Sequence, residues 1–147
     1  MKECESVGRY IGEIHRASCI YFSKQFNKFG IGSGQYLFLL NLYKNEGLTQ
    51  EELTERLKLD KATTARAIKK LEDEGYVERV KKETDRRAYN LKLTEKANGI
   101  REDVYSIMNQ WESRIKSCLN EEESDKLVEL LEKLSNSSLI RKEVKNE

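Results

Sequence analysis

The sequence predicts a mainly α-helical chain that carries one small β-hairpin. Apolar residues recur every three or four positions over most of the 147 residues, which is the period of amphipathic helices. The period changes to two only between Gly75 and Leu93, where alternation predicts two antiparallel strands. Proline is absent, so no residue forces a long helix to break. These observations predict helices on both sides of a compact helix-and-hairpin unit.

The first two predicted helices are separated by a glycine-containing connector. Apolar spacing predicts the first helix from Ser6 to about Lys28, with Gly30 as its stop. The second is predicted from about Ser33 to Asn45, with Ser33 as its N-cap. It is apolar on most sides, so we expect it to be the central buried helix.

The next stretch predicts two short helices joined by a tight turn, a helix-turn-helix. Thr49 and Glu52 have the capping-box spacing that marks a helix start. Lys58 lies where the turn must be, and Asp60 is placed to cap the helix that follows. Gly75 is expected to end this helix.

The second helix of this pair has one apolar side and one polar side. At 100° per residue the inward side carries Thr64, Ala65, Ile68 and Leu71. The outward side carries Thr63, Arg66 and Lys70, and the flanks carry Ala62, Ala67 and Lys69. Small residues interleaved with cations can approach DNA base edges closely, where Arg and Lys reach guanine and Thr serves several bases. The alternative is an ordinary solvated helix face.

The predicted hairpin has a basic tip. Its strands are Tyr76–Val80 and the alternating segment from Tyr89 to Leu93, and the tip between them carries the cations Lys81, Lys82, Arg86 and Arg87. Thr84 and Asp85 can form the turn through side-chain to backbone hydrogen bonds. A basic tip can follow phosphates or insert an arginine into a minor groove. We expect Asp85 to hold a neighbouring arginine side chain in one rotamer.

Charge is unevenly distributed along the chain. Residues 56–93 carry twelve Lys/Arg against seven Asp/Glu, a net charge of +5, whereas residues 1–55 and 94–147 carry −1 and −3. Concentrated positive charge favours a polyanion as partner rather than a membrane. A merely solvated basic face is the alternative.

The C-terminal third predicts two further helices with apolar stripes. Thr94 caps the first, which is expected to continue through Leu119, and Asn120 interrupts it. The second starts in the acidic run at Glu121 and continues past Ile140 to residue 144. The apolar stripes of these two helices and of the first helix are together more than the central unit can cover. We therefore expect them to pair two copies of the chain, the alternative being packing within one chain.

Other classes of protein are disfavoured by composition. The three cysteines lack metal-ligand spacing, so no metal or other cofactor is expected, and a reducing cytoplasm is the simplest location. The N-terminus lacks an apolar leader. One histidine, no glycine-rich phosphate loop and no recognisable nucleophile–base pair argue against an enzyme.

The residues resemble the multiple-antibiotic-resistance regulator (MarR) family of dimeric winged-helix transcription factors. The resemblance covers about residues 6 to 145. Its most specific motif is DRRAYNLKLTEKA, with Asp85-x-Arg87 at the wing tip, and KLDKATTARAIKKLEDEGYVER resembles the family's recognition helix. The resemblance implies a winged helix-turn-helix core at 33–93, flanked by N- and C-terminal dimerisation helices at 6–30 and 94–145.

The resemblance also implies a function. Members bind a pseudo-palindromic operator as homodimers, usually as repressors, with the recognition helix in the major groove and the wing arginine, here Arg87, in the minor groove. Asp85 would position that arginine. The residues expected at or near DNA are Lys61, Thr63, Thr64, Arg66, Lys69, Lys70, Lys81, Lys82, Asp85, Arg86 and Arg87. Thr64 conflicts with its inward angle.

Many members respond to small aromatic carboxylates such as salicylate, which implies candidate ligand residues here. These are His15, Arg16, Tyr36 and Tyr43, although His15 could simply be exposed and Arg16 could pair with Glu13. Peroxide-sensing relatives carry a reactive cysteine at a position that matches Gly8 here, so a thiol-based regulator is an alternative with less support. A winged helix used as a protein-interaction module is another.

Overall fold

The computed structural model describes residues 6–85 and 87–145, with side chains to Arg141. Within these ranges the chain forms eight α-helices and one two-stranded antiparallel sheet. In chain order they are α1 Val7–Phe26, a 3-10 turn Asn27–Phe29, α2 Tyr36–Lys44, α3 Gln50–Leu57, α4 Lys61–Asp73, β1 Val77–Lys81, β2 Tyr89–Leu93, α5 Glu95–Gly99, α6 Arg101–Lys116, α7 Glu121–Ser135 and α8 Ser138–Lys145. The predicted fold class, mainly α with a β-wing, is confirmed.

Local signals in the sequence placed most helix ends correctly. Thr49 and Glu52 form the predicted capping box at the start of α3. Lys58 ends α3 with a left-handed backbone, φ 54°, which turns the chain toward α4. The Asp60 side chain accepts a hydrogen bond from the backbone N–H of Thr63 and so caps α4. Gly75 adopts φ 80° after α4, a conformation that costs glycine little.

Four helix boundaries differ from prediction. Helix α6 ends at Lys116 rather than at Leu119. Helix α2 begins at Tyr36 rather than Ser33, and no side chain caps it. Glycines before and after Ser33 disfavour helix there, and the Gln35 side chain instead accepts from the N–H of Gly32 at 2.8 Å. The helix predicted after Thr94 is split into α5 and α6 at Ile100, next to Gly99, where the backbone leaves the helical region.

The last predicted helix is also broken, between α7 and α8. Asn136 ends α7, and asparagine competes with a helix by bonding its side chain locally or elsewhere. Here its Oδ1 accepts from Lys58 Nζ at 2.7 Å. The break therefore lies against the turn between α3 and α4.

The core is centred on α2, as its apolar composition predicted. Phe38, Leu39 and Leu42 of α2 are buried, and Ile68 of α4 and Leu91 of β2 lie in the same cluster. The backbone of β2 also bonds to the segment before α3. The N–H of Leu91 donates to the carbonyl of Leu48 at 2.9 Å, and the N–H of Gly47 donates to the carbonyl of Leu91 at 3.2 Å. This short pairing, absent from the prediction, ties the wing's base to the helix-turn-helix.

Aromatic side chains join α1 and α6 to this core. The Tyr21 ring stacks on Trp111 at 5.0 Å between centroids, and Phe22 lies 4.3 Å from the ring of Tyr36. The Tyr21 hydroxyl donates to the carbonyl of Ile107 at 3.2 Å. Aromatic pairs of this kind stabilise beyond their buried area. The C-terminal half of α1 is therefore held firmly against the core.

Long apolar stripes outside this core remain exposed in the single chain. The N-terminal half of α1 and helices α7 and α8 contribute Val7, Tyr10, Ile11, Ile14, Leu127, Val128, Leu130, Leu131, Leu134, Leu139 and Ile140. Every residue of α7 is at least partly exposed. An apolar surface of this extent marks an interaction site. Among the helices described, none is long and apolar enough to cross a membrane.

Candidate nucleic-acid interface

Helix α4 presents most of its predicted polar residues outward. Lys61, Arg66, Lys69 and Lys70 are exposed and Thr63 is half-buried. Thr64 is fully buried, and its hydroxyl donates to the carbonyl of Asp60 at 3.1 Å. The helical angle predicted this burial, whereas the DNA contact carried over from the resemblance is wrong for Thr64. Ala67 is also buried, because the core reaches further around the helix than its most apolar positions indicate.

A chain of hydrogen bonds orders the first turns of α4. Asp60 Oδ2 accepts from the Thr63 hydroxyl at 2.6 Å, and the Thr63 oxygen accepts from an Arg66 Nη2–H at 3.3 Å. The side-chain and backbone hydrogen bonds from Thr63 lower the pKa of the Asp60 carboxyl. Asp60 therefore stays ionised and directs the guanidinium of Arg66 through Thr63. This role of Asp60, beyond capping, was missed, although the Asp-x-x-Thr spacing is its local signal.

The two lysines near the end of α4 are paired with acids one turn later. Lys69 Nζ lies 2.7 Å from Asp73 Oδ1, and Lys70 Nζ lies 3.1 Å from Glu74 Oε1. The hydrogen bond to Asp73 raises the pKa of Lys69. These exposed pairs are weak, so a phosphate can replace either acid. Arg66 lies nearer than both lysines to the helix N-terminus, the end that contacts base edges in helix-turn-helix proteins.

The wing tip combines exposed cations with a tight turn. Lys81 and Arg87 are exposed, and Lys82 donates its backbone N–H to the carbonyl of Ala88 at 3.0 Å. The Asp85 carboxylate accepts from the backbone N–H of Arg87 at 3.0 Å. Asp85 therefore shapes the backbone before Arg87, a side-chain turn, whereas we predicted that it held an arginine side chain. Arg86 lies outside the described residues.

A bridge between the wing and the two helices was missed by sequence reasoning. Arg79 of β1 donates from Nε to Glu72 of α4 at 2.5 Å and from Nη2 to Gln50 of α3 at 3.0 Å. The three residues lie on different elements, so no periodic spacing links them. A basic residue near the inner face of a strand was the only signal.

The candidate ligand residues lie on α1 and α2 and differ in exposure. His15 and Arg16 are exposed on α1, and Tyr36 is half-buried in the aromatic cluster. Burial, with a smaller contribution from Cys19, raises the pKa of Tyr36 to about 12, so its hydroxyl remains a neutral donor at physiological pH. Tyr43 is the least exposed of the four candidates. It is buried, and its hydroxyl already donates to the carbonyl of Ala97 at 2.6 Å.

Within residues 6–85 and 87–145, no three His, Cys, Asp or Glu side chains are grouped to hold a metal ion. The only histidine, His15, has Nε2 at 3.6 Å from the Cys19 sulfur, one turn further along α1.

Sequence comparison finds one matching family and similar known proteins. The model of the MarR family matches residues 31–89. The HTH-type transcriptional regulator BilQ of Clostridium symbiosum is 34% identical over 131 residues, which are 88% of this chain and 91% of that protein.

Solved structures agree with this result. A MarR transcriptional regulator from Methanosarcina mazei Go1 is 41% identical with a TM-score of 0.81, covering 90% of this chain and 96% of that one. A MarR-family regulator from Listeria monocytogenes, solved with a 26mer DNA, is 27% identical with a TM-score of 0.82, covering 89% and 87%.

Proposed function

Because the chain belongs to the MarR family of transcriptional regulators, we propose that it acts as a homodimeric repressor of a pseudo-palindromic operator. The observation that carries the DNA-binding part is the ordered Arg66 on the exposed face of α4. Its guanidinium bonds to Thr63, which in turn bonds to Asp60. A pre-ordered guanidinium loses less entropy on binding. In this position it can donate two hydrogen bonds to a guanine edge.

The proposed dimer is supported by the exposed apolar stripes on α1, α7 and α8. We assign these helices, within residues 6–30 and 94–145, to the dimerisation region, and residues 33–93 to DNA binding. A two-fold axis between two chains would cover the stripes with identical stripes. It would also place the two α4 helices on half-sites about one helical turn apart, roughly 10–11 bp.

The wing would contact the flanking minor groove with Arg87, supported by Lys81 and Lys82. Phosphate contacts from these cations make the proposed binding depend steeply on salt. The cations and small polar residues on α4 favour DNA over a protein partner, because the core of a protein–protein interface is depleted of charged residues.

The proposed base contact of Arg66 can be tested by selecting bound sequences from random DNA. Wild-type protein is expected to enrich a two-fold-related motif, and Arg66→Ala is expected to bind with a cost of about 1–3 kcal/mol per half-site and with relaxed preference at one position. Lys69→Ala is the matched control, expected to weaken all sequences equally. An unchanged motif with unchanged affinity in Arg66→Ala would remove this face from the proposal.

Release by a small aromatic carboxylate is the regulatory part of the proposal. The exposed cation of Arg16 could pair with the carboxylate, and the half-buried ring of Tyr36 could stack on the aromatic ring. Sodium salicylate at millimolar concentration is expected to raise the melting temperature and lower operator affinity. Sodium chloride at equal ionic strength is the necessary control, because salt alone weakens DNA binding.

The variant Arg16→Gln removes the charge and is expected to reduce both effects of salicylate. If salicylate and related aromatic acids change neither melting temperature nor affinity beyond the salt control, this class of effector is wrong for the chain.

A further inference from the structure

We infer that Arg79 is a positioning residue that fixes the wing relative to α4, so that both can contact DNA together. The inference rests on the proposed function, because it concerns how that DNA-binding surface is held. Arg79 donates to Glu72 of α4 at 2.5 Å and to Gln50 of α3 at 3.0 Å. One strand residue is thus bonded to both helices of the helix-turn-helix.

The position of Arg79 in the sheet explains why this bridge matters. Residues that alternate along a strand share a face, so Val77, Arg79 and Lys81 lie on one face of β1. Val77 is buried, as is Leu91, which is paired with Arg79 across the sheet, whereas Lys81 is exposed. On this face of β1, Arg79 is therefore the residue nearest the tip that bonds to the helices.

The chemistry of arginine suits this bridge. Its planar guanidinium carries donors in a fixed fork. Two acceptors on different elements therefore constrain both the position and the direction of the strand. The side chains of Arg79 and Glu72 are 36% and 27% exposed, and ion pairs this exposed contribute little to global stability. Orientation is the property that the bridge controls.

A small rotation at Arg79 would be amplified at the tip. Lys82 lies three positions beyond Arg79, about 10 Å along an extended strand. Two-stranded ribbons vary in twist, and a change of about 10° at the base would move the tip by about 2 Å. Hydrogen bonds tolerate only a few tenths of an ångström. Loss of the bridge would therefore weaken the proposed Arg87 contact without unfolding the wing.

The inference predicts an effect with the opposite sign to simple electrostatics. Removing a carboxylate from a DNA-binding face ordinarily strengthens binding, because it reduces repulsion of phosphate. If Glu72 anchors Arg79, Glu72→Ala should instead weaken binding to the selected operator by about 5- to 10-fold. Asp73→Ala is the matched control: it removes the next carboxylate of α4 and frees Lys69. It should leave binding unchanged or tighter.

A double-mutant cycle distinguishes positioning from a general loss of structure. In an Arg87→Ala background the position of the wing matters less, so Glu72→Ala should cost less than about twofold. A merely destabilised α4 would give the same cost in both backgrounds. Gln50→Ala removes the uncharged arm of the bridge and should weaken binding in the same non-additive way.

Each outcome of this experiment has a distinct meaning. If wild-type protein selects no DNA sequence, the proposed function fails. If wild-type protein binds its operator and Glu72→Ala binds as tightly as Asp73→Ala, the positioning role of Arg79 is overturned while the proposed function stands. Additive costs of Glu72→Ala and Arg87→Ala would also overturn the positioning role of Arg79.

Discussion

Arg87→Ala is expected to lower operator affinity by about 10- to 100-fold for the dimer. The physical reason is that a minor groove has a strong negative potential, and the guanidinium would be lost from both wings at once. Fluorescence anisotropy with labelled operator measures the change. Arg87→Lys keeps the charge but loses the planar fork, so its affinity should lie between wild type and Arg87→Ala.

Two controls separate this contact from total charge and from the shape of the turn. Lys116→Ala on α6 removes one charge per chain, far along the sequence from the wing, and should leave affinity nearly unchanged. Asp85→Asn retains an oxygen that can accept the Arg87 N–H and should bind at least as tightly as wild type, whereas Asp85→Ala should bind more weakly. Equal losses in Asp85→Asn and Asp85→Ala would show that the charge of Asp85, rather than its turn, is what matters.

Leu130→Glu is expected to convert the proposed dimer into monomers and to abolish tight operator binding. At a two-fold interface one substitution buries two like charges, and each desolvated carboxylate costs several kcal/mol. Dimerisation should weaken at least about 100-fold. Sedimentation velocity measures this change, and circular dichroism checks that the monomer remains helical.

The control for this prediction is Leu37→Glu on α2. Leu37 is 39% exposed and Leu130 is 46% exposed, so the two substitutions have similar intrinsic costs in the single chain. Only Leu130 lies on the apolar stripe of α7. Ile14→Glu tests the stripe of α1 independently. Dimers that persist in both Leu130→Glu and Ile14→Glu would mean that the dimerisation region has been assigned wrongly.

The parts of the molecule predicted correctly depend on residues close in sequence. The capping box at Thr49, the cap at Asp60 and the stop at Gly75 each involve residues no more than four positions apart. The start of α2 and the breaks at Ile100 and Asn136 were predicted wrongly. The apolar periodicity continues through these three positions, although the helical backbone hydrogen bonds are interrupted there.

The candidate site also divides into local features, which were predicted correctly, and long-range contacts, which were not. The helical angle correctly placed Thr64 inward, and the basic tip was evident from composition. The partners of Arg79 were not evident. Arg79 bonds to a residue 7 positions away and to another 29 positions away, and such partners are brought together only by packing. The hydrogen bond from the Tyr43 hydroxyl to a residue 54 positions away could not be predicted for the same reason.

The sequence by itself determined the helical and strand periods, the helix caps and the positive charge of residues 56–93, because each depends on neighbouring side chains and their intrinsic conformational preferences. Tertiary structure alone decided the partners of Arg79 on α3 and α4 and which apolar stripes stay exposed. Those outcomes depend on contacts between distant segments. In this chain they separate Arg79, which bridges the wing to both helices, from Arg66 and the lysines near the end of α4, whose partners lie one turn away.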